Sequence, residues 1–145
     1  MSDAADFRLP SSVIPRTYRL HLVPDLEALT FSGRVEIDLD VKTATKEIVL
    51  HSVGLAISDV RSGREKIEHR EDAAKERVTL VSNKPFPVGA ATVTLAFSGK
   101  IAEEMRGFYR SRYKAADGTE RYMGTTQFEA TSARRAFPCF DEPAL

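Results

Sequence analysis

The sequence predicts an all-β fold, an antiparallel sandwich or curved sheet, on three observations. Phe31, Gly33, Val35, Ile37, Leu39 and Val41 alternate with Ser32, Arg34, Glu36, Asp38 and Asp40. A period of two over that length marks a long strand with one buried and one solvated face. Shorter runs of the same kind recur between the turn signals Ser62-Gly63, Asn83-Lys84-Pro85 and Asp117-Gly118. No amphipathic helix precedes residue 130.

In chain order, Phe7 to Pro15 carries Pro10 and Pro15 and reads as an extended lead-in. Tyr18, Leu20 and Leu22 then alternate with Arg19 and His21, a strand ended by Pro24-Asp25. The long strand Phe31 to Val41 follows. Glu47 to His51 and Leu55 to Val60 are two short strands, and Ser62-Gly63 makes Leu55 to Arg70 a hairpin. Glu71 to Glu76 reads as a charged surface loop. Val78 to Val81 is a strand stopped by Asn83-Lys84-Pro85, and Pro85, Pro87 and Gly89 form a stiff connection. In Ala91 to Gly99, Val93, Leu95 and Phe97 face one way. Phe108 to Tyr113 and Glu120 to Phe128 flank Asp117-Gly118 as a second hairpin. Thr131 to Pro138 reads as a short helical turn, capped by Thr131 and ended by Pro138.

The composition excludes several function classes. The 145 residues hold 21 Lys+Arg and 21 Asp+Glu, a net charge of zero. A general nucleic-acid or anionic-membrane surface would need a basic excess. No apolar stretch is long enough to span a bilayer, and Met1 to Asp6 lacks the basic start and apolar run of a secretory signal. A single cysteine forbids an internal disulfide, and a cytoplasmic setting is the expectation.

Few residues carry chemistry. His21, His51 and His69 lie in separate regions with no metal-ligand spacing, so no metal site is expected, and His21 is expected in solvent. Cys139, between Pro138 and Phe140, suits a packed, inert thiol. No phosphate loop or nucleophile elbow is present. Gln127 and Glu129 remain. Two apart on a strand, they would share a face with Met123, Thr125 and Thr131, with Tyr122, Phe128 and Ala130 opposite. Periodicity alone favours a solvated polar face there. Against that reading, the following turn walls in the strand end, and a carboxylate without an obligate basic partner suits a primary ammonium group. Arg134 and Arg135 can pair with Asp141 or Glu142 and pin the turn.

The segments Thr126-Gln127-Phe128-Glu129-Ala130-Thr131 and Ala133-Arg134-Arg135-Ala136-Phe137-Pro138-Cys139-Phe140-Asp141-Glu142-Pro143-Ala144 resemble the N-terminal portion of the zinc aminopeptidase family. Arg8-Leu9-Pro10, Tyr18-Arg19-Leu20, Phe31-Ser32-Gly33-Arg34-Val35 and Met105-Arg106-Gly107-Phe108-Tyr109-Arg110-Ser111 follow the same pattern. The resemblance covers nearly the whole chain. It implies a saddle-like β domain over residues 1–145 that meets a thermolysin-like catalytic domain of the same protein. Gln127 and Glu129 map onto the family's first substrate subsite, where the glutamate binds the free α-amine of a peptide. The family's zinc comes from a His-Glu-x-x-His helix and a later Glu, and neither these nor the Gly-Ala-Met-Glu-Asn segment occurs here. The last strands of the family's β domain are also absent. The resemblance therefore implies no catalytic or metal residue in these residues, zinc in the complete enzyme, and an inactive isolated domain with unpaired edges open to self-association. A free-standing β interaction module of the same ancestry is the competing expectation.

Overall fold

The computed structural model describes residues 8–145, and Phe7, where the expected lead-in begins, lies outside them. The described residues form ten strands in three antiparallel sheets. The first is five-stranded. It contains β1 (Val13–Asp25) and β2 (Thr30–Val41), then β4 (Ala56–Ser62), β5 (Glu65–Lys66) and β8 (Gly89–Lys100), in the order β1-β2-β8-β4-β5. The second, β3-β7-β6, is made of β3 (Thr45–His51), β6 (Glu68–Asp72) and β7 (Arg77–Phe86). The third is a ribbon of β9 (Gly107–Lys114) and β10 (Glu120–Gln127). The all-β expectation holds, in a sandwich-like arrangement.

The alternating residues of β2 behave as their period requires. Phe31, Val35, Ile37, Leu39 and Val41 are buried. On the other face Glu36 and Asp38 meet Arg19 of β1. Val35, Ile37 and Leu95 of the large sheet share one core with Ile48, Leu50 and Leu80 of the small one. Each is fully buried, a contribution of about 1.5–3 kcal/mol apiece.

Four boundaries differ from the sequence expectation, each for a physical reason. First, β1 begins at Val13 and runs through Pro15, with Arg16 skipped in the register against β2. As an edge strand it tolerates the missing proline N–H. Second, β7 does not stop at Asn83-Lys84-Pro85. Glu47 pairs Val81 and Thr45 pairs Phe86, so the intervening residues bulge out and pairing resumes beyond them.

Third, the hairpin from β4 is short: Arg61 pairs Lys66 across a turn where Gly63 takes φ 59. At buried Ile67, whose N–H is held by Val60, the chain leaves the large sheet and continues as β6 beside β7 in the small one. Fourth, that strand absorbs Glu71 and Asp72, leaving only residues 73–76 as the turn.

The β9–β10 ribbon is anchored at one end. Ala102 donates to the Phe108 carbonyl at 3.0 Å and accepts from the Arg110 N–H at 2.9 Å. The Phe108 ring enters the core edge-on to Phe31, with centroids 5.3 Å apart. Most of β10 stays exposed.

Candidate functional site

The ribbon positions Gln127. It is the last residue of β10 and pairs with Gly107, the first of β9. Gly107 takes φ 68, and a Cβ there would stand 2.8 Å from the Arg135 Cβ, so a glycine lets the ribbon start against the following turn. Pairing ends where β9 begins, because residue 128 has no partner on it. Glu129 therefore lies beyond the strand, and the expected shared strand face of Gln127 and Glu129 is not formed. Glu129 sits in a turn closed by a 2.9 Å hydrogen bond from the Ser132 N–H to the Phe128 carbonyl. Both side chains are exposed, not walled in. Among the described residues the Glu129 carboxylate makes no ion pair or hydrogen bond.

The ground under this turn is well built. Phe128 meets Phe137 edge-on at 6.0 Å, and Phe137 meets Tyr18 of β1 in the same way at 6.0 Å. The Tyr18 hydroxyl accepts the Phe140 N–H at 3.0 Å. Burial pushes the Tyr18 phenol up to about 12, so it stays protonated in this role. Residues Ala133–Arg135 form a single 3₁₀ turn. Its leading residue is Ser132 rather than Thr131, and no side chain caps it.

Arg134 of that turn is buried and bonded on several sides. Its Nε reaches Asp141 Oδ2 at 2.9 Å and one terminal nitrogen donates to the Asp141 carbonyl at 3.3 Å. The other terminal nitrogen lies 2.9 Å from Glu76 Oε2. The pairing with Asp141 matches the sequence expectation, and the pairing with Glu76 is an addition. Glu142 takes a different partner, accepting the Leu9 N–H. Arg135 makes no ion pair among the described residues.

His51 completes the frame. It exchanges backbone hydrogen bonds with Cys139 at 2.8 and 3.1 Å, so the C-terminal segment is clipped to the end of β3. Its Nδ1 accepts the Asp141 N–H at 3.2 Å. Burial, then the nearby Arg134 charge, hold the imidazole below its ordinary range. Cys139 is buried and its thiol is pushed up to about 12, the inert thiol expected from its neighbours. His21 is exposed, also as expected.

Two cavities flank the turn. One of about 740 Å³ is lined by Phe31, Ala56, Lys100, Arg106, Phe108 and Arg135. The other, about 580 Å³, is lined by His51, Glu76, Arg77, Arg134, Asp141 and Glu142 among others. Neither is lined by Gln127 or Glu129. Sequence reasoning missed His51, Glu76 and Tyr18 as supports of the site. They lie 58 to 122 residues from their partners, and no local spacing signals such contacts.

Residues 14–145 match the family described as the peptidase M1 N-terminal domain. The chain belongs to that family. Endoplasmic reticulum aminopeptidase 1 of Rattus norvegicus is 38% identical over 149 residues, covering 97% of this chain and 16% of the relative. Aminopeptidase M1-B of Oryza sativa subsp. japonica is 41% identical over 144 residues, covering 95% and 16% respectively. Aminopeptidase M1 of Arabidopsis thaliana is 38% identical over 146 residues, covering 94% and 16%. The chain thus spans about a sixth of the length of these relatives. Within the M1 N-terminal domain, the match includes the ribbon, the Glu129 turn and the Arg134 frame.

Proposed function

We propose that this M1 N-terminal domain recognises the free α-amine of a peptide at Glu129, with Gln127 hydrogen-bonding beside it, for a zinc metalloaminopeptidase that removes N-terminal residues. One observation carries the reading: Glu129 is an exposed carboxylate with no partner among the described residues, held on a turn with buried support. An ammonium group supplies the missing counter-charge. Once a bound peptide excludes water, a blocked terminus leaves that carboxylate desolvated and unpaired, and such a substrate is rejected.

Bond cleavage belongs to another part of the protein. Among the described residues no group of three or more His, Cys, Asp or Glu side chains is arranged to hold a metal ion, and the zinc is proposed to lie elsewhere in the protein. In the proposed enzyme a thermolysin-like catalytic domain binds it, and these residues alone are inactive.

The apolar face of β1 supports such a neighbour. Tyr18 and Leu20 lie opposite Ile37 and Val35 in the register, yet are 36% and 40% exposed while those two are fully buried. The core face of the large sheet therefore continues onto β1 only partly covered, and a second domain would complete it. A lone, buried, unreactive thiol fits the proposed cytoplasmic setting.

The test is Glu129→Ala in the complete enzyme, assayed with aminoacyl-fluorophore substrates. The expected loss in kcat/KM corresponds to about 2–5 kcal/mol, the range for removing one side of a buried charge pair. Unchanged turnover would overturn the assignment.

A further inference from the structure

The turn that carries Glu129 hangs from a frame that one imidazole pins. From the site outward, the Ser132 N–H holds the Phe128 carbonyl and the Arg135 N–H holds the Ser132 carbonyl at 3.1 Å. Arg134, between them in the chain, is fixed by Asp141 through its side chain and by Val53, whose N–H donates to the Arg134 carbonyl at 3.0 Å. Asp141 is fixed in turn by His51, whose Nδ1 accepts its backbone N–H. A nitrogen that accepts this bond carries no proton. An imidazolium would instead direct an N–H at the Asp141 N–H, and the bond would be lost.

We propose that neutral His51 is a positioning residue for the Glu129 turn: by pinning Asp141 it fixes the Arg134 frame, and its protonation loosens that frame. The groups around His51 set the direction of the response. Arg134 of the 3₁₀ turn and Arg77 of β7 disfavour a second positive charge. Asp141 and Glu142 of the C-terminal segment favour it, but burial and Arg134 outweigh them. Arg8, Lys75 and Glu76 line the same cavity. Cys139, clipped to the His51 backbone, keeps its proton throughout and adds no charge of its own. The frame is therefore set at neutral pH and loosens on acidification below the ordinary imidazole range, near about 6.5. If Glu129 holds the substrate amine, as proposed above, acid weakens substrate recognition through His51, remote from any reacting atom.

The test uses the isotopically labelled chain in solution, with no substrate. Amide and imidazole resonances are followed by NMR from about pH 8 to about pH 5. The Glu129 and Ser132 amides are expected to shift in a step whose midpoint equals that of the His51 ring. In His51→Asn, whose side-chain oxygen accepts the Asp141 N–H but does not titrate, that step disappears while the neutral-pH spectrum of the ribbon is kept. A Glu129 amide that shows no step at the His51 midpoint overturns the proposal. So does a step that survives in His51→Asn. If that variant fails to fold, the midpoints in the unmodified chain decide: unequal values for His51 and Glu129 overturn the coupling. Amine recognition is judged separately by Glu129→Ala in the complete enzyme, so either idea can fail without the other.

Discussion

Arg134 and Glu76 meet at 2.9 Å across 58 residues of sequence, joining the turn beyond the candidate site to the loop between β6 and β7. The Arg134 side chain is 9% exposed and that of Glu76 42%. The two ends of this pair therefore differ in energetic weight. Arg134→Met strands the carboxylate of Asp141, itself mostly buried, and is expected to cost about 3–5 kcal/mol of stability. Glu76→Gln leaves Arg134 its Asp141 bonds and should cost at most about 1 kcal/mol. Urea unfolding of both variants checks the ranking, and equal losses would contradict it.

Tyr18→Phe removes the acceptor for the Phe140 N–H while keeping the ring against Phe137. The stranded donor lies in a buried residue, so a loss of about 1–3 kcal/mol is expected. Thermal unfolding would show it as a lowered Tm with an unchanged circular dichroism spectrum. A Tm equal to that of the parent chain would remove Tyr18 from the frame.

Alkaline conditions should destabilise the domain through two groups. Burial pushes both the Cys139 thiol and the Tyr18 phenol up to about 12. The unfolded chain releases these protons earlier, the thiol near about 8.5 and the phenol near about 10. Between those values and about 12 the folded state binds more protons, so stability is full below the lower limit and falls as pH rises. Urea midpoints measured at rising pH check the sign. Cys139→Ala should delay the onset of the decline, and an unchanged onset would contradict the thiol's share.

Gln127 should matter less than Glu129. Gln127→Ala in the complete enzyme removes one neutral hydrogen bond, and the expected loss in kcat/KM corresponds to about 0.5–1.5 kcal/mol. A loss as large as that of Glu129→Ala would reverse the proposed roles.

The chain by itself should associate at high concentration. Among the described residues the outer edge of β1 has no strand paired to it, and its exposed Tyr18 and Leu20 extend the core face. Light scattering should detect the association, and Leu20→Lys should reduce it. A clean monomer at the highest attainable concentration would count against it.

Strand existence was legible in the sequence wherever one face is buried, because alternation is a direct imprint of burial. β2 and β8 show this, with Phe31 to Val41 and Val93 to Phe97 sorted to the core as their period requires. The ends of strands were less legible. β7 resumes pairing after Pro85 because β3 still offers Thr45, a fact about the partner strand. For the same reason β10 stops at Gln127: β9 has nothing left to pair with it. That boundary moved Glu129 off the strand, although local alternation continued through it. The identities of Gln127 and Glu129 were readable from their segment, but the frame beneath them was not. His51, Glu76 and Tyr18 enter it from distant strands, and nothing in their own neighbours announces the role.

Tyr18 and Phe140 are held together across 122 residues, and Leu9 and Glu142 across 133. Such pairings make topology slow, because distant ends must meet before their contacts repay the lost chain entropy. On the ribosome β1 must wait for a segment made more than a hundred residues later. Until then Tyr18 lacks the Phe137 ring and the Phe140 hydrogen bond, and that interval is when a nascent chain is most open to wrong partners. The contacts that steady the Glu129 turn in the finished protein thus wait on segments made far apart in synthesis.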